Sequence, residues 1–177
     1  MKIIAFGASY SKQSINKQFA AHATQHFAHA EIEVLDLNDY PLPLFTVDVE
    51  AEKGHPQVID RFLAKIAEAD LLIISMSEHN GSYTAAFKNL LDWTSRKKMK
   101  LFQEKKVLLI STSPGPRGGA GSISAAKIRF PIHGADIIAD FSLPSFEQNF
   151  NRESGIVHPE LKAKFLEVIQ DVKKVMQ

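Results

Sequence analysis

Residues 2–16, KIIAFGASYSKQSIN, join a short apolar run to a turn rich in glycine and serine, and the turn leads into a helical pattern. A buried strand followed at once by a helix is the first half of a βα unit, which makes this stretch decisive for the fold. The turn fits neither the P-loop pattern nor the glycine pattern of dinucleotide-binding folds. What it holds therefore depends on what the rest of the chain places beside it.

The composition limits the class of protein. With 177 residues the chain is long enough for one substantial core, and we expect a single domain over residues 1–177. A hydrophobic fraction of 45% and a net charge of +1 argue against disorder and give no reason to expect nucleic-acid binding. The lack of cysteine excludes disulfides, thiolate metal sites and a cysteine nucleophile. The sequence has no signal-peptide pattern and no apolar span long enough for a membrane, so we expect a cytoplasmic protein.

Apolar runs alternate with helical patterns, which predicts an α/β fold built on a parallel sheet. The runs at residues 71–74 and 107–110 are continuously apolar, as in strands covered on both faces, and we expect them to be central. The predicted strands are residues 2–6, 32–37, 71–76, 106–112 and 137–141. The predicted helices are residues 15–27, 59–66, 85–96 and 159–176, and one after Gly121 that Pro131 kinks or ends early. Segments 38–55 and 142–158 are predicted to be irregular.

Three unusual turns follow the first, third and fourth predicted strands. They read GASYSKQSIN (residues 7–16), SEHNGSYT (77–84) and STSPGPRGGAGS (111–122). Parallel strands end at one edge of their sheet, and ligands bind at that edge where the strand order reverses. If the order is 2-1-3-4-5, the three turns are neighbours and contribute to one site.

The first turn carries the groups that a phosphate needs. Ser9, Ser11 and Ser14 offer hydroxyl donors, Asn16 offers an amide, and the helix begins with free N–H groups and a positive dipole end. The residues alone leave an alternative open, in which Ser14 only caps the helix and the others are solvated.

The other two turns are also open to two interpretations. Gly81 permits a positive φ or the close approach of a flat ligand, but the second turn equally suits an exposed loop in which Thr84 or Ser82 caps the next helix. The glycines of the third turn let a ligand approach the main chain or form a flexible connection. Arg117 either meets an anionic ligand or is solvated.

The histidines do not indicate a metal site. His22 and His26 have the i,i+4 spacing that suits a metal ion, but no H-E-x-x-H motif accompanies them. We predict that they lie on a solvated helix face, and we assign no metal ligand.

Four motifs occur in a fixed order over about the first two thirds of the chain. They are GASYSKQSIN, YPLPLFTVDVE (40–50), SEHNGSYTAAFKNLLDW (77–93) and STSPGPRGG (111–119). Together they resemble the NAD(P)H-dependent FMN reductase family of flavodoxin-like proteins. That family has a G-S-x-R-x-x-S-x-N turn, an L-P-L-F segment, a P-E-Y-N-G-S turn followed by L-K-N-x-x-D-W, and a glycine-rich turn.

The resemblance implies a flavodoxin-like three-layer, doubly wound α/β sandwich with a five-stranded parallel sheet of order 2-1-3-4-5. It implies FMN bound without a covalent link, and NADPH or NADH as the hydride donor. The first turn would surround the FMN phosphate, and the second and third would border the ring. The implied cofactor-binding residues are Ser9, Ser11, Lys12, Ser14, Ile15 and Asn16 in the first turn, Ser77, Glu78, His79, Asn80 and Gly81 in the second, and Ser113, Pro114, Gly115, Gly118 and Gly119 in the third. No side chain is assigned a catalytic role, because the flavin carries the chemistry.

The chain departs from the family pattern at functional positions. Ser11 stands where the family has an arginine, so the phosphate charge falls to hydroxyls, the helix dipole and the adjacent Lys12. In the second turn Ser77 replaces a proline, and His79 replaces a tyrosine. These departures put FMN affinity and the choice of acceptor in question.

The resemblance leads us to expect an FMN-dependent NAD(P)H oxidoreductase that passes a hydride to a small acceptor such as a quinone or a free flavin. Two alternatives stay open: a flavodoxin-like electron carrier with a protein partner, and a flavin-binding regulatory domain without reductase activity. The near-neutral charge argues against the carrier, whose docking face is commonly acidic. The resemblance further implies a homodimer or homotetramer.

Overall fold

The computed structural model describes all residues from 1 to 177. Its strands are β1 (Lys2–Ala8), β2 (Glu31–Leu35), β3 (Leu71–Met76), β4 (Glu78–His79), β5 (Ser82–Tyr83), β6 (Lys105–Thr112), β7 (Ala135–Leu143), β8 (Phe150–Asn151) and β9 (Gly155–Ile156). Its helices are α1 (Ile15–Thr24), α2 (Val47–Lys53), α3 (Val58–Glu68), α4 (Ala85–Lys97), α5 (Ala120–Arg129), α6 (Phe146–Asn149) and α7 (Pro159–Met176). Short 3-10 turns cover Leu37–Asp39 and Phe130–His133.

Five strands form one parallel sheet in the order β2-β1-β3-β6-β7. Counting only these five, the order is 2-1-3-4-5, which confirms the predicted topology. The central strands β3 and β6 are buried at nearly every position, as their continuous apolar runs predict. The order reverses between β1 and β3, so a crevice opens at the carboxyl ends of these strands.

Each face of the sheet is covered by its own hydrophobic cluster. Ile4 and Phe6 of β1 face one layer, where they pack with residues of α3, α4 and α5. Ile3 and Ala5 face the other layer, which α1 and α7 complete. The alternation of side chains along a strand divides the core in this way. The two layers of helices and the sheet between them form the predicted three-layer sandwich.

The predicted helices are present, with differences at their ends. The helix predicted over 159–176 has the bounds of α7, and the one predicted over 85–96 extends one residue further in α4. As Pro131 predicts, α5 ends early, at Arg129, and continues as a 3-10 turn. That turn ends at Gly134, whose φ of 78° is the left-handed conformation of a C-terminal cap.

The segment that follows β2 is more ordered than the sequence indicates. It contains α2, which begins after the capping residue Thr46. The main chain of the LPLF motif is held by α4, because Asn89 Nδ2 and Trp93 Nε1 both donate to the carbonyl of Pro43 at 2.9 and 2.8 Å. The Phe45 N–H donates to Asn89 Oδ1 at 2.8 Å. The second and third family motifs are thus bound directly to each other.

The segment predicted to be irregular after β7 contains α6 and the small antiparallel pair β8–β9. It returns the chain from the carboxyl edge of the sheet toward α7. No helix combines the length and the apolar character that crossing a membrane requires.

Candidate functional site

The three unusual turns meet at the carboxyl edge of β1, β3 and β6, as the predicted strand order requires. They enclose an open cavity of about 190 Å³. Its lining is polar, with one hydrophobic residue among twelve, which suits the polar end of a ligand better than a flat apolar ring. The lining residues are Ser9, Ser11, Gln13, Ser14, Ile15, Asn16, Ser77, Glu78, His79, Thr112, Ser113 and Pro114.

Most of the predicted cofactor-binding residues are therefore brought together. Outside the cavity lie Lys12, Asn80, Gly81, Gly115, Gly118 and Gly119. The part of every one of these residues in flavin binding stays a prediction. Two lining residues, Gln13 and Thr112, were not predicted. Gln13 lies within the first motif and Thr112 ends a predicted strand, so a search of whole turns would have included both.

The beginning of α1 presents unpaired donors to the cavity. Ser14 is the N-cap, and its Oγ accepts from the N–H of Lys17 at 3.1 Å. The N–H groups of Ile15 and Asn16 precede the first N–H that can bond within the helix, and no acceptor of the protein takes them. Unpaired N–H groups at the positive end of a helix dipole are the donors that an anion binds in proteins. Both interpretations of Ser14 are thus compatible: it caps the helix and lines the cavity.

Gly7 allows α1 to lie this close to β1. A Cβ at Gly7 would overlap the main chain of Asn16 and Lys17, with the Asn16 carbonyl carbon at 2.8 Å. The glycine that opens the first motif therefore serves the contact between strand and helix. The position that a Cβ would take at Gly7 is occupied by the main chain of the helix and not by space for a ligand.

The side chain of Asn16 bonds to two strands of the sheet, and the residue also lines the cavity. Asn16 is 3% exposed, and its side-chain amide makes three hydrogen bonds within the protein. Its Oδ1 accepts from Ser75 Oγ at 2.7 Å and from the Thr112 N–H at 3.0 Å, and its Nδ2 donates to the Thr112 carbonyl at 3.0 Å. The donors of Asn16 that no acceptor of the protein takes are its main-chain N–H and the second hydrogen of Nδ2.

The cavity contains no lysine or arginine. Ser11, at the family's arginine position, is exposed, and its N–H donates to Ser9 Oγ. Lys12 lies in a neighbouring groove with Lys17, whose ammonium pairs with Asp36 and holds the pKa of that carboxyl at about 2. The groups that this cavity offers to an anion are thus hydroxyls, N–H groups and the helix dipole. Tyr10, from the same turn, points away and donates to the Tyr40 carbonyl, and burial raises its pKa to about 12.

The second turn is a β-hairpin made of β4 and β5. Asn80 and Gly81 have φ values of 53° and 79°, which is the Asn-Gly geometry of a tight two-residue hairpin. Both are exposed, so the positive φ of Gly81 is explained by the turn itself. Thr84 caps α4 by accepting from the Phe87 N–H, as one of the two interpretations predicted. His79 is exposed at the rim of the cavity.

Glu78 connects the second turn to the third. Its Oε2 accepts from the Ser122 N–H in the first turn of α5 at 2.8 Å. The N-cap residue of α5, Gly119, has no side chain to do this, so Glu78 caps the helix from another part of the chain. A Cβ at Gly121 would lie 2.7 Å from this carboxylate oxygen. Gly121 is therefore the residue that admits the Glu78 carboxylate.

The other glycines of the third turn also serve contacts within the protein. Gly118 has a φ of 58°, and a Cβ there would lie 2.8 Å from the Leu143 carbonyl. Gly119 has a φ of 81° and lies against Ser111. The interpretation of this turn as a flexible connection is wrong, because Ser111 Oγ donates to the Gly118 carbonyl and the N–H groups of Ser145 and Phe146 donate to the carbonyls of Gly115 and Ser113.

His22 and His26 do not form the predicted solvated face. Both are half-buried. The His22 ring stacks on Phe165 of α7 and meets Phe150 edge to face, and the His26 ring meets Phe165 edge to face. Burial lowers the pKa of both imidazoles, and for His22 the neighbouring His26 contributes to the lowering. No group of three or more potential metal-ligating side chains occurs in the structure.

Comparison with known proteins identifies the family. The family model of the NADPH-dependent FMN reductases matches residues 1–148. The chain belongs to this family. It is thus an NAD(P)H-dependent flavin oxidoreductase with FMN as its cofactor, as the resemblance of the motifs predicted.

Individual relatives agree with this assignment. The chain is 32% identical to an NADPH:quinone oxidoreductase of Arabidopsis thaliana over 143 residues, which cover 78% of this chain and 71% of the relative. It is 29% identical to a 2-hydroxy-1,4-benzoquinone reductase of a Burkholderia species over 176 residues, which cover 97% and 93% of the two chains. Among solved structures, the flavoenzyme NAD(P)H:(acceptor) oxidoreductase FerB of Paracoccus denitrificans shares the fold, with a TM-score of 0.73, 21% identity, and coverage of 98% of this chain and 97% of that one.

Proposed function

We propose that this FMN reductase-family protein holds the FMN phosphate at the beginning of α1 and transfers a hydride from NAD(P)H to a quinone. The observation that carries the proposal is that the N–H groups of Ile15 and Asn16 have no acceptor in the protein, and that both residues line the cavity together with Ser9 and Ser14. An anion is the ligand that such a set of donors stabilises. In this family, the FMN phosphate is the anion that fits.

The residues present suit the cofactor in two parts. The polar cavity suits the phosphate end, because its lining offers many hydrogen-bond donors and few charged groups. The β4–β5 hairpin and Ser113–Pro114 form the two rims of the same cavity and would border the ring. When bound, FMN accepts a hydride from the nicotinamide and delivers it to the acceptor in a second step. The protein residues bind and orient, and none of them is required as an acid, base or nucleophile.

The absence of a cation defines how the phosphate is held. Without the family's arginine, no charge-assisted bidentate contact is available from the first turn. Each contact from a neutral donor or a helix dipole stabilises the phosphate less than a contact from an arginine does. We therefore expect FMN to exchange with free FMN in solution rather than to remain bound through purification. This expectation is compatible with an enzyme that also acts on free flavin.

A quinone is the acceptor class that the relatives favour. Two of them, from Arabidopsis thaliana and a Burkholderia species, are named for quinone reduction. The exposed His79 at the rim offers a polar ring where the family pattern has tyrosine. An open cavity edge of this kind admits a planar acceptor after the nicotinamide has left.

A steady-state assay tests the proposal. NADPH or NADH oxidation by 1,4-benzoquinone is measured with the protein saturated with FMN, while both substrate concentrations are varied. Because donor and acceptor use one site in turn, we expect parallel lines in double-reciprocal plots. Activity that requires an added electron-transfer protein would favour the carrier instead. Protein that binds FMN but reduces no acceptor with either nucleotide would favour the regulatory domain.

We also propose that the protein is a homodimer or homotetramer. Leu44 and Val47 are large apolar side chains that are 77% and 66% exposed. Their neighbours Pro43 and Phe45 are fixed on α4 by hydrogen bonds and by the edge-to-face contact of Phe45 with Trp93, so the apolar surface is held rigidly in place. A second copy of the chain that covers this surface would remove it from water.

A further inference from the structure

The carboxamide of Asn16 lies where the sheet ladder between β3 and β6 stops. The two strands pair as far as Met76 and Ser111, after which the chain leaves β3 at Ser77. Strand β6 continues for one more residue, Thr112, which pairs with Leu143 of β7 on its other side. The side facing β3 would leave the N–H and the carbonyl of Thr112 without strand partners.

Asn16 supplies both missing partners. Its Oδ1 accepts from the Thr112 N–H and its Nδ2 donates to the Thr112 carbonyl, both at 3.0 Å. A side-chain amide thus takes the place of the next residue of a strand. Its Oδ1 also accepts from Ser75 Oγ at 2.7 Å, which ties the same amide to β3.

This arrangement uses the whole acceptor capacity of the Asn16 side-chain oxygen and one of the two hydrogens of its Nδ2. A carbonyl oxygen has two lone pairs, and Ser75 and Thr112 use both. The group is 3% exposed, and each of its bonds is made away from water, where an unpaired partner is costly. The amide therefore fixes distances between three elements: the start of α1, the end of β3 and the end of β6.

We infer that Asn16 is a positioning residue for flavin binding, a role that rests on the proposed function. It sets the anion site of α1 at a fixed distance from Ser113 and Pro114, which follow Thr112 directly and form the rim next to the ring. The phosphate end and the ring end of the site are thereby coupled through one side chain. Loss of the amide releases the third turn as well as the first.

Riboflavin, which lacks the phosphate, distinguishes positioning from ligation. The dissociation constants of FMN and riboflavin are measured by quenching of flavin fluorescence for the wild-type protein and for Asn16→Ala. We expect the affinity for riboflavin to fall by about tenfold or more, because the ring rim moves, and the affinity for FMN to fall at least as much, because the phosphate site moves as well. We also expect a shift in the visible absorption spectrum of the bound flavin, which the loss of a distant phosphate contact would not produce.

Two further variants complete the experiment. Ser75 is fully buried and does not line the cavity, so Ser75→Ala tests the network without touching a ligand, and we expect a smaller fall that again includes riboflavin. Asn89→Ala is the matched control, because the Asn89 amide also donates to one main-chain group, the Pro43 carbonyl, and accepts from another, the Phe45 N–H. We expect the affinities for both flavins to stay unchanged in this variant.

The outcomes separate the possibilities. A fall for FMN alone in Asn16→Ala would overturn the inference and make Asn16 a phosphate ligand, and unchanged affinities would overturn it as well. If Asn16→Ala does not fold, Ser75→Ala decides, and unchanged binding in that variant rejects the positioning role. Wild-type protein that binds neither flavin would contradict the proposed function itself and would remove the positioning role with it.

Discussion

In the proposed site, the hydroxyls of Ser9 and Ser14 lie closest to the phosphate. Both line the cavity at the beginning of α1, and the hydroxyl hydrogen of Ser14 is free because its oxygen is the acceptor in the cap. The double variant Ser9→Ala/Ser14→Ala should weaken FMN binding by about a hundredfold or more, since hydrogen bonds to a charged group contribute about 1.5 to 3 kcal/mol each. Fluorescence titration measures this, and riboflavin affinity should change little.

Ser124→Ala is the matched control for this double variant. Ser124 is an exposed serine on α5 whose hydroxyl donates to the Ala120 carbonyl, and it lies outside the cavity. Its loss should leave the affinities for both flavins unchanged. Equal FMN affinity in the wild type and the double variant would show that these hydroxyls do not hold the phosphate.

Gly118 and Gly115 make a matched pair for the third turn. A Cβ at Gly118 would meet the Leu143 main chain at 2.8 Å, and its φ of 58° disfavours any other residue. At Gly115 the nearest atom is Ser113 Oγ at 3.9 Å. Gly118→Ala should therefore lower the free energy of unfolding by about 2 kcal/mol or more, and Gly115→Ala should change it by much less. Denaturant unfolding measures both, and equal losses would contradict the packing role of Gly118.

At the scale of single residues, the sequence indicates which residues belong to the site better than it indicates which residues each of them contacts. The three turns were identifiable because serine, asparagine and glycine cluster at predicted strand ends. The contact of Glu78 with Ser122 was not, because 44 residues separate them and only the folded hairpin brings them together. For the same reason the sequence does not show that Gly118 lies against the Leu143 main chain or that Gly121 lies against the Glu78 carboxylate.

Among the helices, α1 and α7 contain a contact that depends on pH. His22 and His26 pack against Phe165, and Lys162 and Lys173 of α7 add positive charge nearby. Burial lowers the pKa of both imidazoles below the ordinary 6.5, so the unfolded chain binds protons more readily. Stability from this contact is present above about pH 6.5 and is lost as the pH falls through the lowered values.

His26→Phe tests this dependence. It keeps the aromatic contact with Phe165, and it removes a ring whose Nε2 is buried without a partner. Thermal unfolding between about pH 7.5 and 5.5 should show a smaller loss of melting temperature for the variant than for the wild type. Exposed His29 provides the control variant His29→Gln, which should follow the wild type. Parallel curves for His26→Phe and the wild type would reject the role of His26.

At the scale of elements, the long apolar runs and the amphipathic stripes predict the five-stranded sheet and its main helices. Helix α2 escaped prediction because none of its residues is buried, so its sequence has no apolar stripe to detect. Its stability comes from the Thr46 cap and from Arg96, which donates to Glu50 at 3.0 and 2.9 Å. The burial of His22 and His26 also depends on α7, which lies more than 130 residues away in the sequence.

The whole molecule presents one test of assembly. If a second copy covers Leu44 and Val47, the double variant Leu44→Glu/Val47→Glu should dissociate the oligomer, because a buried carboxylate without a partner is costly. The molecular mass measured by sedimentation should then be lower than that of the wild type. Ile128, on α5, is 75% exposed and gives the matched control Ile128→Glu, which should leave the mass unchanged. A wild-type protein that sediments as a monomer would contradict the proposed assembly. A single domain over residues 1–177 and a cytoplasmic location stay predictions.

The central claim is that the cavity at the start of α1 holds FMN in a form that NAD(P)H reduces. The most direct measurement is the visible absorption of the FMN-loaded wild-type protein under anaerobic conditions, followed after addition of NADPH or NADH and then of 1,4-benzoquinone. We expect the flavin band to bleach with at least one of the two nucleotides and to return when the quinone is added. A bound flavin band that neither nucleotide bleaches, or protein that does not take up FMN, would contradict it.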